Sequence, residues 1–582
     1  MIPFPKRLAV VVLVLAFLSA PGAGRAEVAP PERPDEADVD VGAYLAARNA
    51  EAHGDFSAAA RWFDAALARD PDNPLLLDGS ILAHLDLGEI DEAAEAAERR
   101  AGIATPSQVA DFALIARAAA MDDHEAVIAL LKAGHSIGPL FDKLAQAWAE
   151  FGRGRMSEAL TGFDAVAKTR GFEAFGLYHK ALALALAGDF EEAERILSGR
   201  AGLPLRLDRR GIVARVEILS QLEREDEARK LIDATFGPGP DPFADALRDR
   251  LGSDRPMTFD VVRSAREGLG EVFYSLALLL STEADPAYTL MSARIAAALK
   301  PDNAEVLLLV ATKLEELGQY DLAVAVYASF DADGPYYHLA EIGRSDALYA
   351  AGQKEAAIEV LRALARRSGG LLSVQASLAD LLRRDERWAD ALPAYDAALK
   401  LVDHPSREHW VLYFSRGICK ERLGRYDAAD ADFREALRLN PGQPQVLNYL
   451  GYGLLERGIM LDEALELISA AAAAEPDSGY IIDSLAWAYF RLGRYADALA
   501  PMEKASLLEP VDPVVTDHLG DVYWMNGRKR EAEFQWRRAL SFQPEERDAI
   551  RIRRKLERGL DAVLADEKAE TPPAVRALGI EE

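Results

Sequence analysis

With 582 residues the chain exceeds what one compact core accommodates, so it must divide into domains or repeats. Its 95 Asp and Glu against 67 Lys and Arg give a net charge of −28, which argues against nucleic acid or an anionic membrane surface and favours basic or neutral partners. One cysteine, Cys419, excludes an internal disulfide.

The chain opens with Lys6 and Arg7, an apolar run from Leu8 to Leu18, and the small-x-small tripeptide Gly24-Arg25-Ala26. That order is the pattern of a secretory signal cleaved after about Ala26. An uncleaved anchor is the competing reading, although the run is short for a bilayer span. No cysteine follows the run to carry a lipid, and no later stretch is long and apolar enough to cross a bilayer. The expectation is an exported, periplasmic protein with no lipid anchor and no membrane span after cleavage. Cleavage removes Lys6, Arg7 and Arg25 and leaves 64 basic against 95 acidic residues, net −31. Residues 27–40, acidic and bearing Pro30, Pro31 and Pro34, read as a disordered leader.

From there on, small residues recur at one spacing. Ala59, Ala93, Ala126, Ala159, Ala193 and Ala228 are followed by Thr289, then Ala323, Ala357, Ala391, Ala429, Ala464, Ala498 and Ala532. Neighbours stand 33 to 38 residues apart, with one interval of 61 between Ala228 and Thr289. A sustained period near 34 predicts helical hairpins stacked side by side, each small residue lying where the two helices press closest. Residues 41–236 read as a degenerate array. Gly237-Pro238-Gly239-Pro240-Asp241-Pro242 interrupts it, and the insertion 237–266 reads as a loop and short helix that change the path of the stack. A middle array covers 267–403; after a second slip at Asp403-His404-Pro405-Ser406, a C-terminal array covers 404–546. Residues 547–566 read as one capping helix over the exposed end of the stack, and 567–582 as a disordered tail.

The C-terminal array is the clearest. Gly417, Gly451, Ala486 and Gly520 are small where paired helices meet, because a larger side chain would overpack the contact. Gly424, Gly493 and Gly527 can take the left-handed conformation that ends a helix. Ala429, Phe433 and Ala436 fall on one stripe of the second helix, and Pro441, Pro476, Pro510 and Pro544 close the units. This pattern resembles the tetratricopeptide repeat (TPR) family. The resemblance implies an all-α, right-handed superhelical solenoid of about fourteen helix-turn-helix repeats with a capping helix. It also implies a concave face lined by the first helix of each repeat. Placing that face on this sequence singles out Asn448, Tyr452, Asp483, Trp487, Phe490, Asp517, Asp521 and Trp524 as partner-binding residues. Phe414, Ile418, Glu421, Arg422, Leu455, Arg491 and Met525 occupy the matching positions around them. Large aromatics bury much area for little entropy, which suits Trp487, Phe490 and Trp524 as anchors; packing against the next helix or the cap is the competing role for the tryptophans. Asp483, Asp517 and Asp521 have the wrong sign for the Lys/Asn clamp with which a subgroup of the family holds a terminal carboxylate.

Stretches 447–452, 483–489 and 517–524 also look like exported bacterial TPR scaffolds, among them the lipoprotein partner of a carboxyl-terminal processing protease. The function this implies is a non-enzymatic periplasmic adaptor docking a partner such as a protease; the alternative is a structural assembly factor for a pilus, secretion or other envelope complex. No phosphate-binding loop, G-x-S-x-G elbow or paired histidine motif is found, and no cofactor or metal is expected. Gly268-Leu269-Gly270 and Gly451-Tyr452-Gly453 lie within helical patterns and read as packing glycines. His518 between Asp517 and Asp521 reads as a hydrogen-bonded cluster, and Cys419 as a buried thiol.

Overall fold

A computed structural model describes residues 41–103, 105–237, 240–253, 255–281 and 286–570. Residues 1–40 and 571–582 lie outside the described residues, and with them the export signal, the leader and most of the expected tail. The described residues form thirty-one α-helices, one short 3-10 turn and no strand. None of these helices is long and apolar enough to cross a membrane.

The helices pair as the period predicts. Thirteen of the fourteen residues in the series, Thr289 included, are at most 1% exposed; Ala126 is half-buried. Backbones meet at these points with no room for an added methyl group. A Cβ on Gly417 would lie 2.6 Å from the Phe433 ring, and one on Gly520 2.4 Å from Trp536 Nε1. Gly424, Gly493 and Gly527 take φ of 72°, 74° and 79°, so each reverses the chain between paired helices without a Cβ clash.

The first six pairs run from Val41–Ala52 to Glu225–Phe236. The helix Pro242–Leu251 then stacks on the sixth pair, where Phe243, Ala244, Leu247 and Leu251 join Ile212, Val216, Ala228 and Ile232 in one core. The strand-like path that follows is pinned along the helix Arg209–Gln221. Gln221 donates to Met257 O (2.7 Å), the Met257 amide donates to Ser220 Oγ (2.9 Å), and the Asp260 amide donates to Glu217 (2.9 Å). Lys300 Nζ ties the same segment down through Asp260 O and Val261 O.

That path delivers the next hairpin, Ala265–Leu280 and Pro286–Leu299, into the concave face of the first array. Its contacts are with the first helices of successive pairs, the ones that line a solenoid's inner surface. Phe273 packs on Phe112 and Phe141, with ring centroids 6.2 and 4.6 Å apart. Gly268 faces Trp148 so closely that a Cβ would lie 2.3 Å from the indole. Buried Glu271 accepts from Arg210 (2.7 Å) and from the Tyr178 hydroxyl (2.9 Å), and Arg294 donates to Asp86 O (3.0 Å). The N-terminal concavity is therefore filled by the chain itself. Gly268 and Gly270 are packing glycines here, against Trp148 and Leu299.

Eight pairs follow in an unbroken stack, from Ala265–Leu280 with Pro286–Leu299 to Pro513–Met525 with Lys529–Ser541. The segment expected as one capping helix over 547–566 is two, Glu546–Arg558 and Leu560–Glu570, broken at Gly559, whose φ of 81° the Trp524 ring covers. The helix therefore also takes in 567–570, the first residues of the expected tail.

His179 sits at the filled interface. Its Nδ1 accepts from Trp148 Nε1 (3.0 Å), and Ser275 Oγ lies 3.3 Å from Nε2. Burial depresses its pKa to about 4, against a small opposing pull from Glu271. A base that folds neutral stabilises the fold above its unfolded pKa of about 6.5, and that stability is lost as pH falls towards 4. The contribution of His179 to the stability of the N-terminal body should fall by ~2 kcal/mol between pH 7 and pH 5, read as the difference between wild type and His179→Gln in denaturant titrations at both values.

Candidate docking groove

The first helices of the last four repeats, Trp410–Arg422, Pro444–Arg457, Gly479–Arg491 and Pro513–Met525, place equivalent side chains at one level along a second concave face. Phe414, Asn448, Asp483 and Asp517 form one ladder; Ile418, Tyr452, Trp487 and Asp521 form another. The structure divides the eight expected residues into three groups.

Asp517 and Asp521 are internal counter-ions. Lys555, fully buried on the helix Glu546–Arg558, donates to Asp517 (2.7 Å) and Asp521 (2.7 Å). Trp536 Nε1 adds a hydrogen bond to Asp521 (2.9 Å), and Arg551 approaches it at 3.3 Å. Burial and the neighbouring Asp521 hold the Asp517 carboxyl above its usual range, against the pull of Lys555. The C-terminal helix reaches these carboxylates from within the fold, through a lysine 38 and 34 residues away, while Asp517 also borders the second recess described below.

Trp487, Phe490 and Trp524 are likewise spent within the fold. The Trp487 ring lies between Phe490 (centroids 4.7 Å, planes 6° apart) and His518 (3.9 Å, 11°), and its Nε1 donates to Glu456 (3.0 Å). Trp487 and Phe490 are 7% and 5% exposed. Trp524 donates to Asp561 (2.9 Å) and packs on Trp536, Lys529 and Gly559. Packing on the next helix and on the cap is thus the structural role of the two tryptophans. His518 does not pair with Asp517 or Asp521; its Nδ1 meets Asp483 at 3.0 Å. Burial works against the charge on His518, but Asp483 prevails and raises its pKa; the imidazole stacks on the indole face of Trp487. No cluster of three metal-ligating side chains forms among the described residues. Cys419 is buried, and desolvation lifts its thiol to about 11, far from reactive.

Asn448, Tyr452 and Asp483 do line an open concavity. It holds about 820 Å³ and is bounded by Glu421, Tyr449, Glu456, Tyr480 and Val514 as well. A second recess of about 620 Å³ adjoins it, sharing Tyr452, Glu456, Val514, His518 and Arg547, and reaching Ile550. Three large apolar side chains stand in solvent along these walls: Tyr480 (58% exposed), Val514 (44%) and Ile550 (50%). Sequence reasoning missed all three. Tyr480 and Val514 sit in the first turn of their helices, ahead of the central positions that mark the family's concave face, and Ile550 comes from the cap. Asn448 Oδ1 is buried there without a hydrogen-bond partner. The recesses offer apolar walls and open hydrogen-bond acceptors, which suits a polypeptide.

Fold and groove together define a helical-repeat protein with one concave face filled and one open. Residues 44–108, 376–444, 416–479 and 484–546 match the tetratricopeptide repeat family model. A curated relative, the TPR repeat-containing protein PA4667 of Pseudomonas aeruginosa, is 30% identical over 183 residues, which is 31% of this chain and 30% of that protein's length. Among solved structures, the APC/C hetero-tetramer Cut9-Hcn1 aligns with 89% of this chain and 96% of its own at 14% identity and a TM-score of 0.37. MamA of Desulfovibrio magneticus RS-1 aligns with 30% of this chain and 94% of its own at 20% identity and a TM-score of 0.27.

The buried lysine sets a prediction. Lys555→Met strands two buried carboxylates and should destabilise the C-terminal end by ~3–5 kcal/mol, seen as early tryptic release of the last two helices. Adding Asp517→Asn and Asp521→Asn to Lys555→Met should recover most of that loss.

Proposed function

We propose that the protein is a non-enzymatic, exported adaptor that docks a polypeptide partner in the concave face of its C-terminal repeats. The observation that carries this reading is the row of exposed Tyr480, Val514 and Ile550 inside a concavity that also holds Asn448 and Tyr452. Exposed apolar side chains gathered in one recess cost solvation unless a partner covers them. The filled N-terminal concavity directs docking to the C-terminal one. Export to the periplasm is supported by Lys6, Arg7, the run Leu8 to Leu18 and Gly24-Arg25-Ala26. A processing protease or an envelope assembly complex is the partner class, from the likeness of 447–452, 483–489 and 517–524 to exported TPR scaffolds.

The test is affinity capture from a periplasmic extract with the wild type and with Tyr452→Ala/Tyr480→Ala/Val514→Asp. The variant should keep the helical circular dichroism of the wild type and lose the wild type's principal captured protein by at least about tenfold. Equal capture by both proteins sinks the groove assignment. N-terminal sequencing of the chain from the same fraction should begin near Glu27.

A further inference from the structure

The chemistry of the open groove narrows the kind of partner it takes, an inference that rests on the docking reading above. The charged side chains on its walls are Glu421, Arg422, Glu456, Arg457, Asp483 and Arg547. Most are already committed. Arg457 is held by both oxygens of Asp430 at 2.8 Å. Glu456 accepts from Trp487 Nε1 and from Arg491, each at 3.0 Å. Asp483 is partnered by His518 Nδ1 at 3.0 Å. Arg422 lies over the Trp388 ring at 5.9 Å, and Arg547 extends into solvent beside Asp548.

Among the carboxylates Glu421 is the exception. No salt bridge or side-chain hydrogen bond reaches its carboxylate among the described residues, although Gly453, with no side chain of its own, leaves Glu421 Oε1 only 3.3 Å from where a Cβ would stand. Burial lifts its carboxyl above the usual range, against the pull of Arg422 and Arg457. Asn448 Oδ1 is a second acceptor without a donor. Both vacancies ask for donors, and a carboxylate in no direct ion pair has room for a cation. The chain shows the answer three repeats further on: at the last rungs of the two ladders, Asp517 and Asp521 take Lys555 from a basic helix, and Trp536 faces its ammonium at 5.7 Å. A net charge of −28 acts in the same direction at long range.

We propose that the groove binds a cationic polypeptide segment, placing a lysine or arginine on Glu421, a donor on Asn448 Oδ1, and an apolar flank on Tyr480, Val514 and Ile550. Such a segment presents what a basic amphipathic stretch presents, and an acidic or carboxylate-terminated ligand would meet Glu421 and Glu456 with the wrong sign.

A random dodecapeptide library displayed on phage and panned on the full chain tests this, with Tyr452→Ala/Val514→Asp as the counter-selecting protein. Enriched peptides should carry Lys or Arg beside an apolar cluster. Fluorescein-labelled copies should bind the wild type and lose about tenfold in affinity on Glu421→Gln, a change too small to disturb the fold. Two results overturn the inference in different ways. Neutral or acidic enriched peptides, or full affinity on Glu421→Gln, remove the cation but leave the groove as the docking face. No enrichment over the counter-selecting protein removes the groove itself.

Discussion

The closest approach of paired helices governs everything else in this molecule. Where paired helices cross, Ala59, Ala93 and nearly all their successors are small and fully buried, and at Gly417 and Gly520 an added Cβ would run into the Phe433 and Trp536 rings. That constraint fixes the distance between helices, and with it how far each hairpin turns relative to the last. A stack built on one repeated contact needs no central core, so nearest-neighbour packing carries the described residues without exceeding the reach of a single hydrophobic interior. The remaining side chains of the first helices are then free to line a concave face.

One stack yields two such faces with opposite fates. In the N-terminal array the helix Pro242–Leu251 and the pinned path after it turn the chain inward, and the hairpin 265–299 becomes the occupant of its own groove. The contact is not a loose one: Phe273 sits among Phe112 and Phe141, and the buried Glu271–Arg210 pair closes it. In the C-terminal array the chain also reaches back, but only at the last repeat, where Lys555 engages Asp517 and Asp521. The rungs around Asn448, Tyr452 and Glu421 stay open. A buried ion pair contributes little net stability and much positional specificity, which suits a cap that must end the stack in one register.

The repeats were legible because their determinants are local. Gly424 with Tyr426, Ala429 and Phe433 states a turn, a helix start and a buried stripe within ten residues of one another, and the same statement recurs down the chain. The groove was legible only in part. Asn448, Tyr452 and Asp483 line it as the family pattern implies, because their positions depend on helix phase alone. Asp521 and Trp524 do not, and Asp517 borders only the second recess, because their fate depends on Lys555 and Asp561, more than thirty residues onward, with no local mark of the pairing. Trp487 reads as an anchor until His518, from the next repeat, closes over its second face. The filling of the N-terminal groove had no signal beyond the irregular interval before Thr289, since the contacts it makes join residues roughly 60 to 200 positions apart.

Hydrogen exchange on Ala498→Leu probes the helix contact most directly. Ala498 is fully buried between Gly479–Arg491 and Tyr495–Leu508, and a leucine there overpacks the crossing by roughly 1–3 kcal/mol. The account predicts faster amide exchange in these two helices and in the repeats on either side, with the N-terminal body, residues 41–299, unchanged. Wild-type exchange throughout the C-terminal array would contradict it, because the small-residue contact would then not be what holds the stack.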